Sequence, residues 1–165
     1  MFEDASKQSC EYFNNGWYCA ESVLMAVAEY QAITCEYIPK MATGFCSGLS
    51  RSGGICGALS GAVLAISLVL GRDEASESVE QCYGATKELM NGFVEAFGAE
   101  TCQALTSCHL GTEEGQARFR AENMHERCLG FVGEATRLAL KSIANHPRIE
   151  LSDAANIQSK ASGKE

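Results

Sequence analysis

The sequence predicts an all-α protein, a compact bundle of about five to seven helices around a central apolar helix at about residues 56–70. Apolar residues recur at helical spacing over most of the chain, and no segment alternates apolar and polar residues as a strand does. The 165 residues include only two prolines, so long helices are permitted almost everywhere. Hydrophobic residues make up 46% of the chain, which excludes intrinsic disorder for the chain as a whole.

Three helical segments and one loop are predicted before the central helix. A helix from about Asp4 to Phe13 ends at Asn14-Asn15-Gly16, because asparagine and glycine are strong stop signals. Pro39 opens a short helical turn, and the glycine-rich segment Gly44–Gly54 is predicted to be a loop. The second helix carries one apolar face, formed by Cys19, Val23, Val27 and Tyr30.

The central helix is predicted from Cys56 to Leu70, where Gly71 and Arg72 stop it. It is apolar nearly all round, which is typical of a helix surrounded by others in a bundle. Gly57 and Gly61 are four residues apart, and small residues at this spacing predict the close approach of a neighbouring backbone.

The second half of the chain predicts three longer helices. One spans about Glu74–Phe97 and is closed by Gly98. The next begins after the N-cap Thr112, with acidic residues in its first turn. Its face is predicted to carry Ala117, Ala121, Met124 and Cys128. The last spans about Arg127–Ala144, and Pro147 ends it.

Length and charge limit the organisation and the partners of the protein. We expect a single cysteine-rich helical domain at residues 1–146 and a polar tail at 147–165. Thirteen Lys+Arg against 21 Asp+Glu give a net charge of −8, which disfavours nucleic acid and anionic membranes as partners. The longest apolar run, Ile55–Leu70, is too short for a membrane span, and the N-terminus lacks the pattern of a secretory signal. We therefore expect a cytoplasmic protein without membrane insertion. Its apolar central helix is consistent with a homodimer.

Cysteine is the residue type that carries most information about function. Nine is a high and odd number, and a reducing compartment disfavours structural disulfides. No pair has the spacing CxxC, which excludes the zinc ribbon, the bacterial ferredoxin run, the thioredoxin motif and covalently attached haem. The absence of GxxxxGK[ST] likewise argues against a nucleotide. The cysteines are Cys10, Cys19, Cys35, Cys46, Cys56, Cys82, Cys102, Cys108 and Cys128.

Several cysteines fall where a helix is predicted to begin. Cys19, Cys56 and Cys102 each lie at or just inside a predicted helix start, and Cys128 lies near the junction of the last two helices. Free N–H groups and the helix dipole at an N-terminus favour a thiolate, the form that binds metals and attacks disulfides. The pattern predicts a site made of distant thiols that the fold brings together.

Two motifs and the order of four cysteines resemble a known family. Cys56–Gly61 matches CGAxxG, and Gly16–Val23 matches GxxCAxxV. Cys102 and Cys128 follow in the expected order. Over about residues 10–140 the chain resembles the redox-active proteins named for their C–GCAxxG–C–C pattern.

The resemblance implies a helical fold and a site at the four shared positions Cys19, Cys56, Cys102 and Cys128. A related domain in split-Soret cytochromes is associated with an iron–sulfur centre, so the resemblance implies an iron–sulfur cluster, of no specified type. This chain has Cys46-Ser47 where many relatives are richer in glycine. Cys46 and Cys108 are therefore candidates for additional or replacement ligands.

The leading functional hypothesis is a redox-active protein that binds an iron–sulfur cluster, for electron transfer to a redox partner or for redox sensing. One alternative is a metal-free thiol–disulfide oxidoreductase in which Cys56 is a low-pKa attacking thiol. Another is a zinc or copper(I) protein that binds its metal through soft thiolates. The sequence leaves open whether the protein is an oxidoreductase or an electron-transfer component. Cys10, Cys35 and Cys82 are expected to be structural.

Overall fold

The computed structural model describes residues 2–148, and these residues form eight helical segments and one 3₁₀ turn; the third helical segment, α3 at Cys46–Arg51, is left-handed. The all-α prediction is confirmed. The structure has more helical segments than the predicted five to seven because two of them, only five or six residues long, are counted separately. An isolated bridge between Ile55 and Thr101 is the one extended pairing within these residues. The helices are α1 (Glu3–Asn14), α2 (Cys19–Tyr30), α3 (Cys46–Arg51), α4 (Gly57–Leu70), α5 (Glu80–Phe97), α6 (Cys102–Thr106), α7 (Glu113–Ala121) and α8 (Met124–Asn145), and the 3₁₀ turn is Lys40–Phe45.

Helix α4 is the centre of the bundle and packs against α2, α5 and α8. Its sequence is apolar nearly all round, so each of these neighbours buries a different part of its surface. Leu59 and Ile66 are inaccessible to solvent at 0% exposure. The predicted central helix is therefore confirmed, with the difference that Cys56 is its N-cap and Gly57 its first residue.

The predicted close approach at the glycines of α4 is also confirmed. A Cβ atom placed on Gly61 would lie 2.5 Å from the Ala20 carbonyl oxygen and 2.7 Å from the Ala20 Cα atom. Side chains essentially never come this close to a backbone, so α2 and α4 cross at a distance that only glycine permits.

Two helix boundaries differ from the prediction for local reasons. Helix α5 begins at Glu80, because polar side chains upstream bond the backbone and compete with helix formation. The Glu77 carboxylate accepts from the Asp73 N–H (2.8 Å), and the Ser78 hydroxyl accepts from the Glu80 N–H (3.2 Å). Helix α7 ends at Ala121, because Asn123 adopts a left-handed conformation with φ of 49°. Met124 and Cys128 therefore belong to α8.

The predicted loop at Gly44–Gly54 is wrong in its central part. Residues 47–51 form one turn of left-handed helix, with φ between 50° and 73° at each position. Four of the five are not glycine, and each such residue costs roughly 1–2 kcal/mol in this conformation. A segment of this kind persists only where its surroundings hold it, and the surroundings here are the cysteines described below.

No helix among residues 2–148 combines the length and apolar character needed to cross a membrane. The predicted polar tail from residue 147 lies, from position 149 onward, outside the described residues.

Candidate functional site

The four cysteines singled out by the sequence line one cavity. Cys19, Cys56, Cys102 and Cys128 come from α2, the N-cap of α4, α6 and α8 respectively. The cavity has a volume of about 240 Å³ and is walled largely by apolar side chains. The fold thus brings together cysteines that are as far as 109 positions apart in the chain (19 to 128). We call this space the cysteine cavity.

A pair of backbone hydrogen bonds sets Cys56 beside Cys102. The Cys56 N–H donates to the Glu100 carbonyl at 2.8 Å, and the Cys102 N–H donates to the Gly54 carbonyl at 2.8 Å. These bonds form the short bridge between Ile55 and Thr101. The bridge holds the starts of α4 and α6 side by side, so both cysteines face the same space.

Cys19 is fixed by contacts around the start of α2. The buried Glu21 carboxylate accepts from the Tyr18 N–H at 2.9 Å and from the Thr43 hydroxyl at 2.6 Å. These bonds tie the 3₁₀ turn to the first turn of α2. The Cys19 Sγ atom lies against Gly57, where a Cβ atom would overlap it.

The left-handed turn encloses the same sulfur atoms. The Ser47 N–H points at the Cys19 Sγ atom, 3.5 Å away. Gly48 faces Cys102: a Cβ atom there would overlap the Cys102 Cβ and lie 3.3 Å from its Sγ. The strained backbone therefore supplies one hydrogen-bond donor and one side-chain-free surface to the cysteine cavity.

Cys128 lies in the second turn of α8, among groups contributed by α1 and α8. His125, one turn earlier on α8, also lines the cavity. Its ring stacks on Phe13 with centroids 4.6 Å apart, and its Nε2 atom lies 3.0 Å from the Asn14 Oδ1 atom. This histidine is held by α1 at the edge of the site.

Burial raises the pKa of Cys56, Cys102 and Cys128, contrary to the expectation from helix N-termini. Burial raises the pKa of Cys56 to about 11, although N–H groups at the start of α4 oppose the shift. Burial, together with neighbouring Cys56 and Cys102, raises the pKa of Cys128 to about 12. Burial also raises the pKa of Cys102. The prediction of Cys56 as a low-pKa attacking thiol is therefore wrong, since its thiol is neutral at pH 7.

Cys46 and Cys108, the candidates for additional or replacement ligands, are buried and do not line the cavity. Cys46 is 4% exposed, and its thiol donates to the Ala42 carbonyl at 3.6 Å. A hydrogen bond with Cys19, followed by burial, raises the pKa of Cys46 strongly. Cys108 is 1% exposed, and its thiol donates to the Thr106 carbonyl at 3.3 Å. Cys10, Cys35 and Cys82 do not line the cavity either.

The mouth of the cavity carries basic side chains. Arg51, from the left-handed turn, and Arg120, from α7, are exposed and line the cavity. No aspartate or glutamate of the described chain is among the lining residues. The sequence predicts the helix α7 but not its place on the cavity, so the contributions of Arg120 and Phe119 to the lining were missed. No pattern in α7 indicates which surface of the bundle it covers.

No group of three or more His, Cys, Asp or Glu side chains within residues 2–148 is arranged closely enough to hold a single metal ion. All nine cysteines are free thiols. The cysteine cavity therefore presents four separate thiols around a space, and they are not collapsed on one point.

Comparison with known proteins agrees with the motif. The model of the family described as "Putative redox-active protein (C_GCAxxG_C_C)" matches residues 17–142, a range that contains all four cavity cysteines. The chain is 30% identical over 150 residues to a protein of Archaeoglobus fulgidus described as "Uncharacterized protein", with 86% of this chain and 94% of that one covered. No solved structure matches the chain significantly. Because the family model spans well over half of the chain, the protein belongs to the redox-active C_GCAxxG_C_C family.

Proposed function

We propose that the protein carries an iron–sulfur cluster in the cysteine cavity, bound by Cys19, Cys56, Cys102 and Cys128, and serves in electron transfer or redox sensing. The observation that carries this proposal is the convergence of four cysteines from four different elements on one cavity of about 240 Å³. Four thiolates are the usual ligand set of such clusters, and the bound cluster accepts and releases single electrons.

The chemistry of the cavity fits this group. Buried thiols with raised pKa values keep their protons when no metal is present. A metal cation deprotonates a coordinating thiol outright, so the raised pKa values do not prevent metal binding. Gly48 and Gly57 leave room beside two of the sulfur atoms. The largely apolar walls lower the local dielectric constant around the sulfur atoms, and hydrogen bonds such as that from Ser47 N–H to Cys19 tune a reduction potential.

The arrangement favours an iron–sulfur cluster over a single zinc or copper ion. A single tetrahedral ion needs its sulfur ligands within about 2.3 Å of one point. No group among residues 2–148 meets this kind of requirement. A cluster of several iron and sulfide atoms spreads its ligands around its own volume, and so needs a cavity of the kind described.

A metal-free dithiol function is the second candidate, and one contact favours it. The Cys19 Sγ atom and the Cys46 Cα atom both lie against Gly57, so these two cysteines are neighbours. Oxidation by an external disulfide would join their sulfur atoms, with both protons and both electrons passing to that disulfide as two thiols. In this case the pair is Cys19 and Cys46, and not a pair that contains Cys56.

Nine free thiols are compatible with a reducing compartment, and we propose the cytoplasm as the location and another redox protein as the partner.

Cysteine variants test the proposed ligand set. We expect Cys56→Ser, purified without oxygen, to lose most of the visible iron–sulfur absorption and of the bound iron, because a hydroxyl replaces a buried thiolate ligand. The matched control is Cys82→Ser, since Cys82 contacts Ser67 near the C-terminal end of α4 and does not line the cavity.

Equal iron and equal absorption in both variants would contradict the assignment of Cys56. A metal-free chain that forms a Cys19–Cys46 disulfide on mild oxidation, detected by peptide mass spectrometry, would support the second candidate instead.

A further inference from the structure

The mouth of the cysteine cavity differs in charge from the rest of the molecule. The chain as a whole has a net charge of −8, but the only charged side chains of fixed sign on the described lining are Arg51 and Arg120. Among residues 2–148 neither arginine lies within ion-pair distance of a carboxylate; the arginines that do are Arg118, Arg137 and Arg148. Their charges are therefore uncompensated by partners on the described protein.

The two arginines place this positive charge at the opening of the cavity. Both are exposed while lining the cavity, so they lie at its opening and not in its interior. They come from different elements, Arg51 from the left-handed turn and Arg120 from the last turn of α7. Arg51 is held there at a φ of 73°, a conformation that costs energy and persists because the turn is held by its neighbours.

We propose that the cavity mouth is a binding site for a small anion, with a carboxylate or oxoanion group held by Arg51 and Arg120, and that the molecule admitted to the cysteines is anionic. Guanidinium groups bind carboxylates and oxoanions through paired N–H donors. A cleft with walls of low dielectric constant concentrates the field of such charges at its opening. The inference goes beyond the proposed function, because it concerns the ligand class and holds with or without an iron–sulfur cluster.

The size of the site limits the ligand. A cavity of about 240 Å³, part of which the proposed cluster would fill, is below the usual range of roughly 300–1,000 Å³ for drug-sized ligands. We therefore expect a molecule of a few heavy atoms. Apolar side chains such as Phe119 and Leu110 beside the arginines would accept a short carbon chain, and the arginines its charged end.

The test compares two alkylating reagents of the same size, anionic iodoacetate and neutral iodoacetamide, on the reduced, metal-free full-length chain. Both react with the thiolate, so the ratio of their rate constants at one cysteine cancels the fraction of thiolate. We expect this ratio at Cys102 and Cys128 to exceed that at Cys35, a partly exposed cysteine outside the cavity, by about fivefold at low salt. The excess should shrink in high salt.

The double variant Arg51→Gln/Arg120→Gln should bring the ratio at the cavity cysteines down to the value at Cys35. Arg137→Gln is the matched control, because Arg137 is paired with Glu134 on α8 and does not line the cavity. Equal ratios at Cys128 and Cys35 in the wild-type protein, or an excess that survives in the double variant, would overturn the proposal.

A second measurement uses the protein as purified, with any bound cofactor. Malonate at constant ionic strength should raise the Tm of the wild-type protein and of Arg137→Gln by more than that of the double variant, since a ligand that binds only the native state stabilises it. An identical rise in all three proteins would contradict an anion site at these arginines.

Discussion

Gly57→Ala is expected to remove the bound iron while leaving the protein folded. The added methyl group would overlap the Cys19 Sγ atom and lie 3.2 Å from the Cys46 Cα atom and the Phe45 carbonyl oxygen. The Cys19 side chain has one torsion about which it can rotate, so the sulfur atom leaves its place before the backbone does. We expect a loss of about 1–3 kcal/mol in the free energy of unfolding and of most of the iron per chain.

The control for this prediction is Gly44→Ala, at the end of the same 3₁₀ turn that faces Gly57. A Cβ atom on Gly44 would meet nothing within 4 Å, so iron content should stay at the wild-type level. Iron analysis and far-UV circular dichroism of both variants provide the comparison. Wild-type iron in a folded Gly57→Ala protein would argue against Cys19 as a ligand.

Gly61→Ala is expected to destabilise the packing of α2 against α4 strongly. The new Cβ atom would lie 2.5 Å from the Ala20 carbonyl oxygen and 3.0 Å from the Ala20 carbonyl carbon. These are backbone atoms of α2, which cannot rotate aside as a side chain can. Helices α2 and α4 must separate, and we expect the free energy of unfolding to fall by about 3 kcal/mol.

Gly130→Ala is the matched control on α8. Gly130 is exposed within a helix, and a Cβ atom there would meet nothing within 4 Å. Alanine should therefore stabilise the protein by about 0.5–1 kcal/mol through its higher helix propensity. Urea unfolding followed by circular dichroism measures both changes. A decrease below about 1 kcal/mol for Gly61→Ala would show that the crossing of α2 and α4 is looser than described.

Sequence reasoning succeeded where the cause of a structure is local. Gly98 closes α5 with a φ of 78°, and the Thr112 hydroxyl caps α7 by accepting from the Gly115 N–H at 3.0 Å. Both follow from the residue type alone. The close crossing at Gly61 was also predictable, because small residues four apart on an apolar helix have few other uses.

The left-handed turn at residues 47–51 was not predictable, since serine, leucine and arginine have no preference for positive φ. Its conformation depends on contacts with Cys19 and Cys102, which are distant in sequence. Glycine at position 48 was the only local signal. The glycine-rich composition predicts a loop, because glycine-rich sequences usually are loops.

The site was predictable in its members but not in its electrostatics. The four cysteines were chosen from the motif and from their positions near helix starts, and all four line one cavity. The same helix starts predicted low pKa values, whereas burial raises the pKa of Cys56 and of Cys128. Burial depends on which helices cover the site, and the role of α7 in that cover has no local sequence signal.

Iron and acid-labile sulfide per chain, measured on protein purified without oxygen, test the central claim most directly. The account predicts iron and sulfide in near-equal amounts, since a cluster bound by four cysteines contains both. A colourless chain without iron or sulfide, or one that holds only zinc or copper, would contradict it.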